Sequence, residues 1–327
     1  MNSTLIDEVK KKEICIVQIL DLIKISIDED ETDKDQSISV LLPRQKHVII
    51  PNRNLSKKPT TQLDDKKKKF FSLDKSFDVL YFNEKEIALQ LTYITHSIMS
   101  KITKKEMLNK NWESKNKKVD APNIIMIKNR YNQLYDWITE EILRYDRKRQ
   151  RKLAIEKFIK IADECWKINN FNDCFIIIVC LTTSEPLLSL KKTWYRISFE
   201  SQKKLDELEY FFLQDNNWGN LRNVMDEVEG KPCLPYFGYF LNNLNLKVED
   251  KYVDNGRIIN CEKIRKIGEL IDQFHELVNK NVYAITENSR LNFLYDLKPL
   301  SVDELYKLAK RLGNLTQIII FIKNLSL

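Results

Sequence analysis

Between Lys231 and Phe274 the chain carries two amphipathic patterns back to back, separated by a short polar turn at Asp254-Asn255-Gly256. The first reads KPCLPYFGYFLNNLNLKVED and the second IINCEKIRKIGELIDQF. From Ile264 onward, Ile267, Leu270, Ile271, Phe274, Leu277 and Val278 recur at the spacing of one helix face. Pro235 suits a first helical turn, where its missing N–H would have no partner anyway. Asn260 suits the N-cap of the second helix. The pattern predicts a helical hairpin over about 235–278, its first arm ending in acidic residues. A hairpin of that length is a device for reaching out of a domain.

The rest of the chain agrees with an all-α reading. Only 6 Gly and 8 Pro are spread over 327 residues, and Lys, Glu, Leu and Ile are abundant. Apolar residues make up 43% of the chain, enough for a sizeable core in one large domain or two small ones. The net charge of +7 suits nucleic acid or anionic lipid, but a lysine-rich composition gives the same figure with no partner at all, and that plainer reading is preferred. Cys15, Cys165, Cys174, Cys180, Cys233 and Cys261 form no C-x-x-C pair, and most lie among apolar residues, as buried free thiols do. They imply a reducing compartment and no zinc. Asp21 and Lys24 interrupt the apolar run from Ile14, so no ordinary secretory signal is expected. The apolar runs Cys174–Leu181 and Ile318–Ile322 are too short to cross a bilayer.

Three regions are expected. Residues 1–75 mix apolar and acidic stretches that fit a long helix or a small β-hairpin equally. Pro43, Pro51, Pro59 and the Lys66–Lys69 run read as a linker; that run, beside Phe70 and Phe71, also offers weak contact to an anionic membrane. Residues 76–314 form a helical body, with helices expected over Glu84–Ser100, Asn123–Tyr145, Lys152–Ile168, Asn172–Leu181, Ser201–Leu213 and Asn217–Val228. Thr103 with Glu106 predicts a capping box on a further short helix, and Ser301 with Glu304 another on a last helix that Gly313 can stop. Residues 315–327 are a short apolar tail.

Chemistry for covalent catalysis is not legible. The chain has no P-loop signature, no G-x-G-x-x-G and no G-x-S-x-G. His47, His96 and His275 are far apart, and His275-Glu276 has no second histidine at zincin spacing. Acidic pairs such as Asp206 and Glu209 sit on amphipathic helices, where a solvated face explains them. No metal site, no cofactor and no conventional enzyme activity are expected.

Several ordered segments resemble the catalytic domain of Ras-type guanine-nucleotide exchange factors, the RasGEF domain. They are IALQLTYITHSIMSKITKKEML with Trp112 soon after, APNIIMIKNRYNQLYDWITEEIL, RKLAIEKFIKIADECWKINNFNDCF, LKKTW, NNWGNLR, KPCLPYFGYFLNNL and IINCEKIRKIGELIDQF. Each alone is weak; together and in order they are specific, and they span about Asp78 to Asn314, roughly three quarters of the chain. The resemblance implies an all-α bowl with a protruding helical hairpin. It implies a Ras-family small GTPase as partner, in its nucleotide-free or GDP-bound form, no nucleic acid, and a cytoplasmic setting that allows membrane association. A regulator in a eukaryotic cell and a pathogen protein delivered into a host both fit.

The resemblance also assigns roles. Leu241, Asn245 and Glu249 lie at i, i+4 and i+8 on the first hairpin helix and match the positions that displace a switch segment. Glu249 matches a glutamate that engages a P-loop hydroxyl, and Asn245 a position aimed at the magnesium site. Phe175, Trp218 and Tyr236 match contacts to the other switch segment, with ordinary core packing as the alternative for Trp218 and Tyr236. Phe237, Phe240 and Leu244 are expected to seat the hairpin, braced by Asn170 and Phe171. The chain departs from the family at Leu181-Thr182-Thr183-Ser184-Glu185-Pro186, where Thr182 or Thr183 replaces an asparagine that touches the GTPase, and at Lys128 and Asn129. These departures leave a second reading, a non-catalytic GTPase-binding module. A third is a basic nucleic-acid-binding helical protein.

Overall fold

The computed structural model describes the backbone of residues 78–312 apart from 214, 229, 250–252, 255–257 and 260. Residues 1–75, with the Lys66–Lys69 run, and the tail 315–327 lie outside the described residues, as do His47, Cys15, the Asn260 cap and the Gly313 stop. The described chain is all-α apart from one short ribbon.

Helix α1 (Glu84–Met99) opens on an Asn83 cap. After a stretch of turns come α2 (Lys117–Asp120), α3 (Pro122–Leu143) and α4 (Lys148–Lys167). Helix α5 (Phe171–Thr183) is followed by two single-turn helices, α6 (Glu185–Leu188) and α7 (Lys191–Trp194), then α8 (Phe199–Phe211) and α9 (Asp215–Glu227). Helices α10 (Phe237–Glu249) and α11 (Cys261–Asn279) enclose the ribbon, and α12 (Val302–Leu312) ends the described chain. Expected and observed helices agree to within a few residues at each end.

Helix α5 is the hub. Its run CFIIIVCL is apolar all round, and Cys174, Phe175, Ile176, Ile177, Ile178, Cys180 and Leu181 are all buried. Helix α4 packs against both α5 and α1, and α3 closes the other side of α5. On α4 the buried face is Ile155, Phe158, Ile159, Ala162 and Cys165, a helical stripe against the hub. Cys165, Cys174, Cys180 and Cys233 are buried free thiols and Cys261 is exposed. Among the described residues no helix is long and apolar enough to cross a membrane.

Three local expectations are corrected. The Thr103–Glu106 box forms, with the Thr103 N–H donating to Glu106 Oε1 at 3.1 Å and the Glu106 N–H to Thr103 Oγ1 at 3.3 Å, but the chain there makes turns and no helix. Glu106 Oε2 also accepts from the N–H groups of Asn123 and Ile124, so the box serves the start of α3 instead. The first hairpin helix begins at Phe237, not Pro235, because Leu234 is held extended in a bridge to Asn170. The tip is more than a polar turn: Val253–Asp254 (β1) pairs antiparallel with Ile258–Ile259 (β2), Val253 opposite Ile259. Asn-Gly between β-branched residues is a hairpin signal that periodicity alone overlooks.

Candidate functional site

The site is built outward from the start of α5. Asn169 has a left-handed backbone (φ 59°), a conformation asparagine tolerates, and it turns the chain from α4 into α5. Its carbonyl accepts from Leu234 N–H at 2.9 Å and its side-chain amide donates to Pro232 O at 3.1 Å. In return, the N–H groups of Phe171 and Asn172 donate to Leu234 O at 2.9 and 3.2 Å. Asn170 caps α5, its Oδ1 accepting from Asp173 N–H at 3.0 Å, and its amide donates to Thr92 Oγ1 and Asp173 Oδ2. The asparagine pair therefore clamps the segment that leads into α10.

The clamp extends to α10 itself. Asn172 Oδ1 accepts the N–H of Phe237, the first residue of α10, at 3.3 Å. A helix N-terminus has unpaired donors, and here the neighbouring helix supplies the cap that α10 lacks in its own sequence. Beneath it Asp173 is fully buried. Burial pushes its carboxyl up, opposed by the hydrogen bond from Asn170, the charge of Arg130 and the hydroxyl of Thr95. Arg130 is itself pulled down to about 10 by burial, against the attraction of Asp173.

Along α10, Phe237, Phe240, Leu241 and Leu244 face inward. Phe274 of α11 lies between the rings of Phe237 (5.1 Å) and Phe240 (5.3 Å), which joins the two helices at their base. Phe237, Phe240 and Leu244 thus pack as expected of a seat. Leu241 is 5% exposed and belongs to the same packed face. Asn245 is half-buried. Its amide donates to Glu113 Oε1 at 3.3 Å, while its Oδ1, shielded from solvent, has no hydrogen-bond partner. Glu249 is the last residue of α10.

Glu113 is a residue that sequence reasoning missed. It accepts from Trp112 Nε1 at 3.2 Å and stands near Lys128, whose ammonium is pulled down by burial and held up by Glu113's charge. Nothing local in the sequence signals this group, since Glu113 and Asn245 are 132 residues apart. Asn129 is exposed beside a polar cavity of about 360 Å³ that Asn132, Asp136 and Ser301 also line.

The three expected aromatic contacts are brought together. Phe175 and Tyr236 stack at 3.8 Å, and Trp218 meets them at 5.9 and 5.2 Å. All three are buried in the free chain, with 2–4% exposure. Trp218 also has a left-handed backbone (φ 60°), an outlier for a bulky residue. Gly238 lies against Tyr236, and a methyl group at 238 would overlap the phenol. The hydroxyls of Thr182 and Thr183 donate to Ile178 O and Val179 O of their own helix at 3.0 and 2.6 Å.

A family model described as the RasGEF domain matches residues 86–265, more than half of the chain. Over 231 residues the chain is 32% identical to Ras guanine nucleotide exchange factor Y of Dictyostelium discoideum, covering 70% of this chain and 15% of that protein. It is 29% identical over 235 residues to exchange factor M of the same organism, covering 70% and 25%. It is 25% identical over 244 residues to Ras-specific guanine nucleotide-releasing factor RalGPS1 of Gallus gallus, covering 72% and 41%. The chain thus spans less than half the length of each of these relatives. The ordered segments, the helical body and the match across α1 to α11 together establish that the chain belongs to the RasGEF domain family.

Proposed function

We propose that the chain is a guanine-nucleotide exchange factor for a Ras-family small GTPase. It accelerates GDP release by binding the nucleotide-free GTPase more tightly than the loaded form. Each ligand then weakens the other's hold, and no covalent bond is made or broken. Only differential affinity moves such an equilibrium, and a shift from 1:99 to 99:1 takes about 5.5 kcal/mol of it.

The observation that carries this reading is the seating of α10, capped at its first residue by Asn172 and wedged at its base by Phe274. A helix fixed at one end can act as a lever at the other. In the proposed mechanism α10 and α11 project from the body as a hairpin, and α10 displaces a switch segment of the GTPase. Glu249 competes with nucleotide phosphate for P-loop donors, and Asn245 obstructs the magnesium position. Leu241, nearer the base of the same helix, packs α10 against the body. The second switch segment packs over the cluster of Phe175, Trp218 and Tyr236, and Thr182, Lys128 and Asn129 are further contacts to the GTPase. The setting is the cytoplasm, where such GTPases are found.

The test is release of a fluorescent nucleotide from a panel of purified Ras, Rap and Ral proteins, with complex formation in EDTA measured in parallel. Acceleration with at least one member is expected. A tight EDTA complex without acceleration would instead indicate a binding module, and neither outcome with any member would remove the reading.

A further inference from the structure

The start of α4 and the segment from α7 to α8 lie side by side and form a corner remote in sequence from α10. Arg151 Nε donates to Thr193 Oγ1 at 3.4 Å, and Ser198 N–H donates to Glu156 Oε1 at 2.8 Å. Around these two contacts the surface is basic. Arg147, Lys148 and Arg149 lead into Arg151 and are exposed, and Lys191, Lys192 and Arg196 flank Thr193 and are exposed. None of the six forms an ion pair with another described residue.

The neighbouring acids are mostly engaged. Glu156 is held by Lys152 at 3.3 Å as well as by Ser198, and Asp146 faces Arg311 at 3.5 Å. Glu200 remains exposed at the edge. Amid the cations stand two aromatic side chains with little to pack on: Tyr195 is 93% exposed and Phe199 85%. Leu153 and Leu188 are also exposed. Water is a poor environment for the apolar members of this group. Cations attract an anionic surface, and aromatic and aliphatic groups enter the boundary between headgroup and acyl chain.

We propose that this corner docks the chain on an anionic phospholipid bilayer. Charge complementarity selects the surface, and the projecting rings and leucines favour lipid over nucleic acid, to which the leucines offer nothing. The site shares no residue with the Lys66–Lys69 run and does not depend on exchange activity.

Flotation of the full chain with phosphatidylserine-containing and pure phosphatidylcholine vesicles tests it. Binding to the first and not the second, weakened by salt, is expected. Neutralising Lys191→Gln, Lys192→Gln and Arg196→Gln together should cut the partition coefficient on the order of a hundredfold, at roughly fivefold per cation. Tyr195→Ser with Phe199→Ser should lower it several-fold at unchanged charge, with the circular dichroism spectrum retained. A chain with the four lysines 66–69 changed to glutamine should keep most of its binding. The proposal is overturned if the wild type ignores anionic vesicles, if both corner variants bind like wild type, or if the 66–69 change alone abolishes binding. Tighter binding to single-stranded DNA than to anionic vesicles would overturn it equally, assigning the corner to nucleic acid.

Discussion

Asn172 and Phe237, 65 residues apart in sequence, share a hydrogen bond in which the side chain of one helix caps the backbone of another. The bond ties the most buried helix of the body to the first turn of the helix proposed to act on the GTPase. Capping side chains of this kind contribute about 1 kcal/mol. Asn172→Ala should therefore lower stability by roughly 0.5–2 kcal/mol. Hydrogen exchange should quicken at the amides of Phe237 to Phe240 more than elsewhere. Unchanged protection at those amides would show that the seat does not depend on the cap.

Gly238 is required for a different reason. Its Cα lies against the Tyr236 phenol, which is itself stacked on Phe175, so an added methyl has nowhere to go. Overpacking of this kind costs about 1–3 kcal/mol. Gly238→Ala should lower the urea midpoint accordingly, and adding Tyr236→Ala, which removes the whole ring that the methyl meets, should make the second change cost less than it does in the wild type. A Gly238→Ala chain as stable as wild type would mean that the ring can move freely.

How much of this was legible in the sequence follows from the range over which each feature acts. The α4 stripe, the all-round apolar run of α5 and the α11 face are local patterns, and the sequence places them within a few residues. Asn170 is readable as a cap because its partner is three residues away. The cap on α10 is not, because its donor and acceptor belong to different helices. For the same reason Pro235 suggests a helix start that the bridge from Leu234 to Asn170 overrides. Glu113 is invisible in sequence because an exposed-looking acid after a tryptophan gains meaning only when Asn245 and Lys128 arrive beside it. Leu241 illustrates the converse: its spacing with Asn245 and Glu249 is helical, but packing turns it inward.

Trp218 separates core from contact by magnitude. Its ring is buried against Phe175 and Tyr236, and truncating a buried aromatic costs about 3–5 kcal/mol, whereas a surface residue costs within about 0.5. Trp218→Ala should therefore reduce stability in urea as well as affinity for a GTPase. A variant of wild-type stability with weakened binding would assign the ring to the interface alone.

Glu141 gives the chain a pH dependence. Burial pushes its carboxyl up to about 7, opposed by the guanidinium of Arg144, 2.7 Å away. Between the ordinary carboxylate range and pH 7 the folded chain keeps a proton that the unfolded chain has lost. Stability from this group is therefore fully present at low pH and falls as pH rises through 7. Across pH 5 to 8 the wild type should lose on the order of 2 kcal/mol more than Glu141→Gln. Parallel stability curves for the two chains would show that the carboxyl titrates normally.

Glu249 tests the proposed mechanism most directly. It closes α10, at the opposite end from the Asn172 cap, so its removal should leave the seat untouched. A hydrogen bond from a GTPase donor to a carboxylate is worth about 1.5–3 kcal/mol, which corresponds to roughly tenfold to a hundredfold in rate. If the bond forms only as the nucleotide leaves, that energy acts on the exchange step and not on binding of the loaded GTPase. Glu249→Ala should accordingly slow nucleotide release by this factor, with melting temperature and affinity for the GDP-bound GTPase unchanged. Glu249→Gln, which keeps the shape and loses the charge, should fall between the two. Wild-type release by both variants on a GTPase that the parent chain activates would remove the carboxylate from the mechanism, leaving α10 to act by displacement alone.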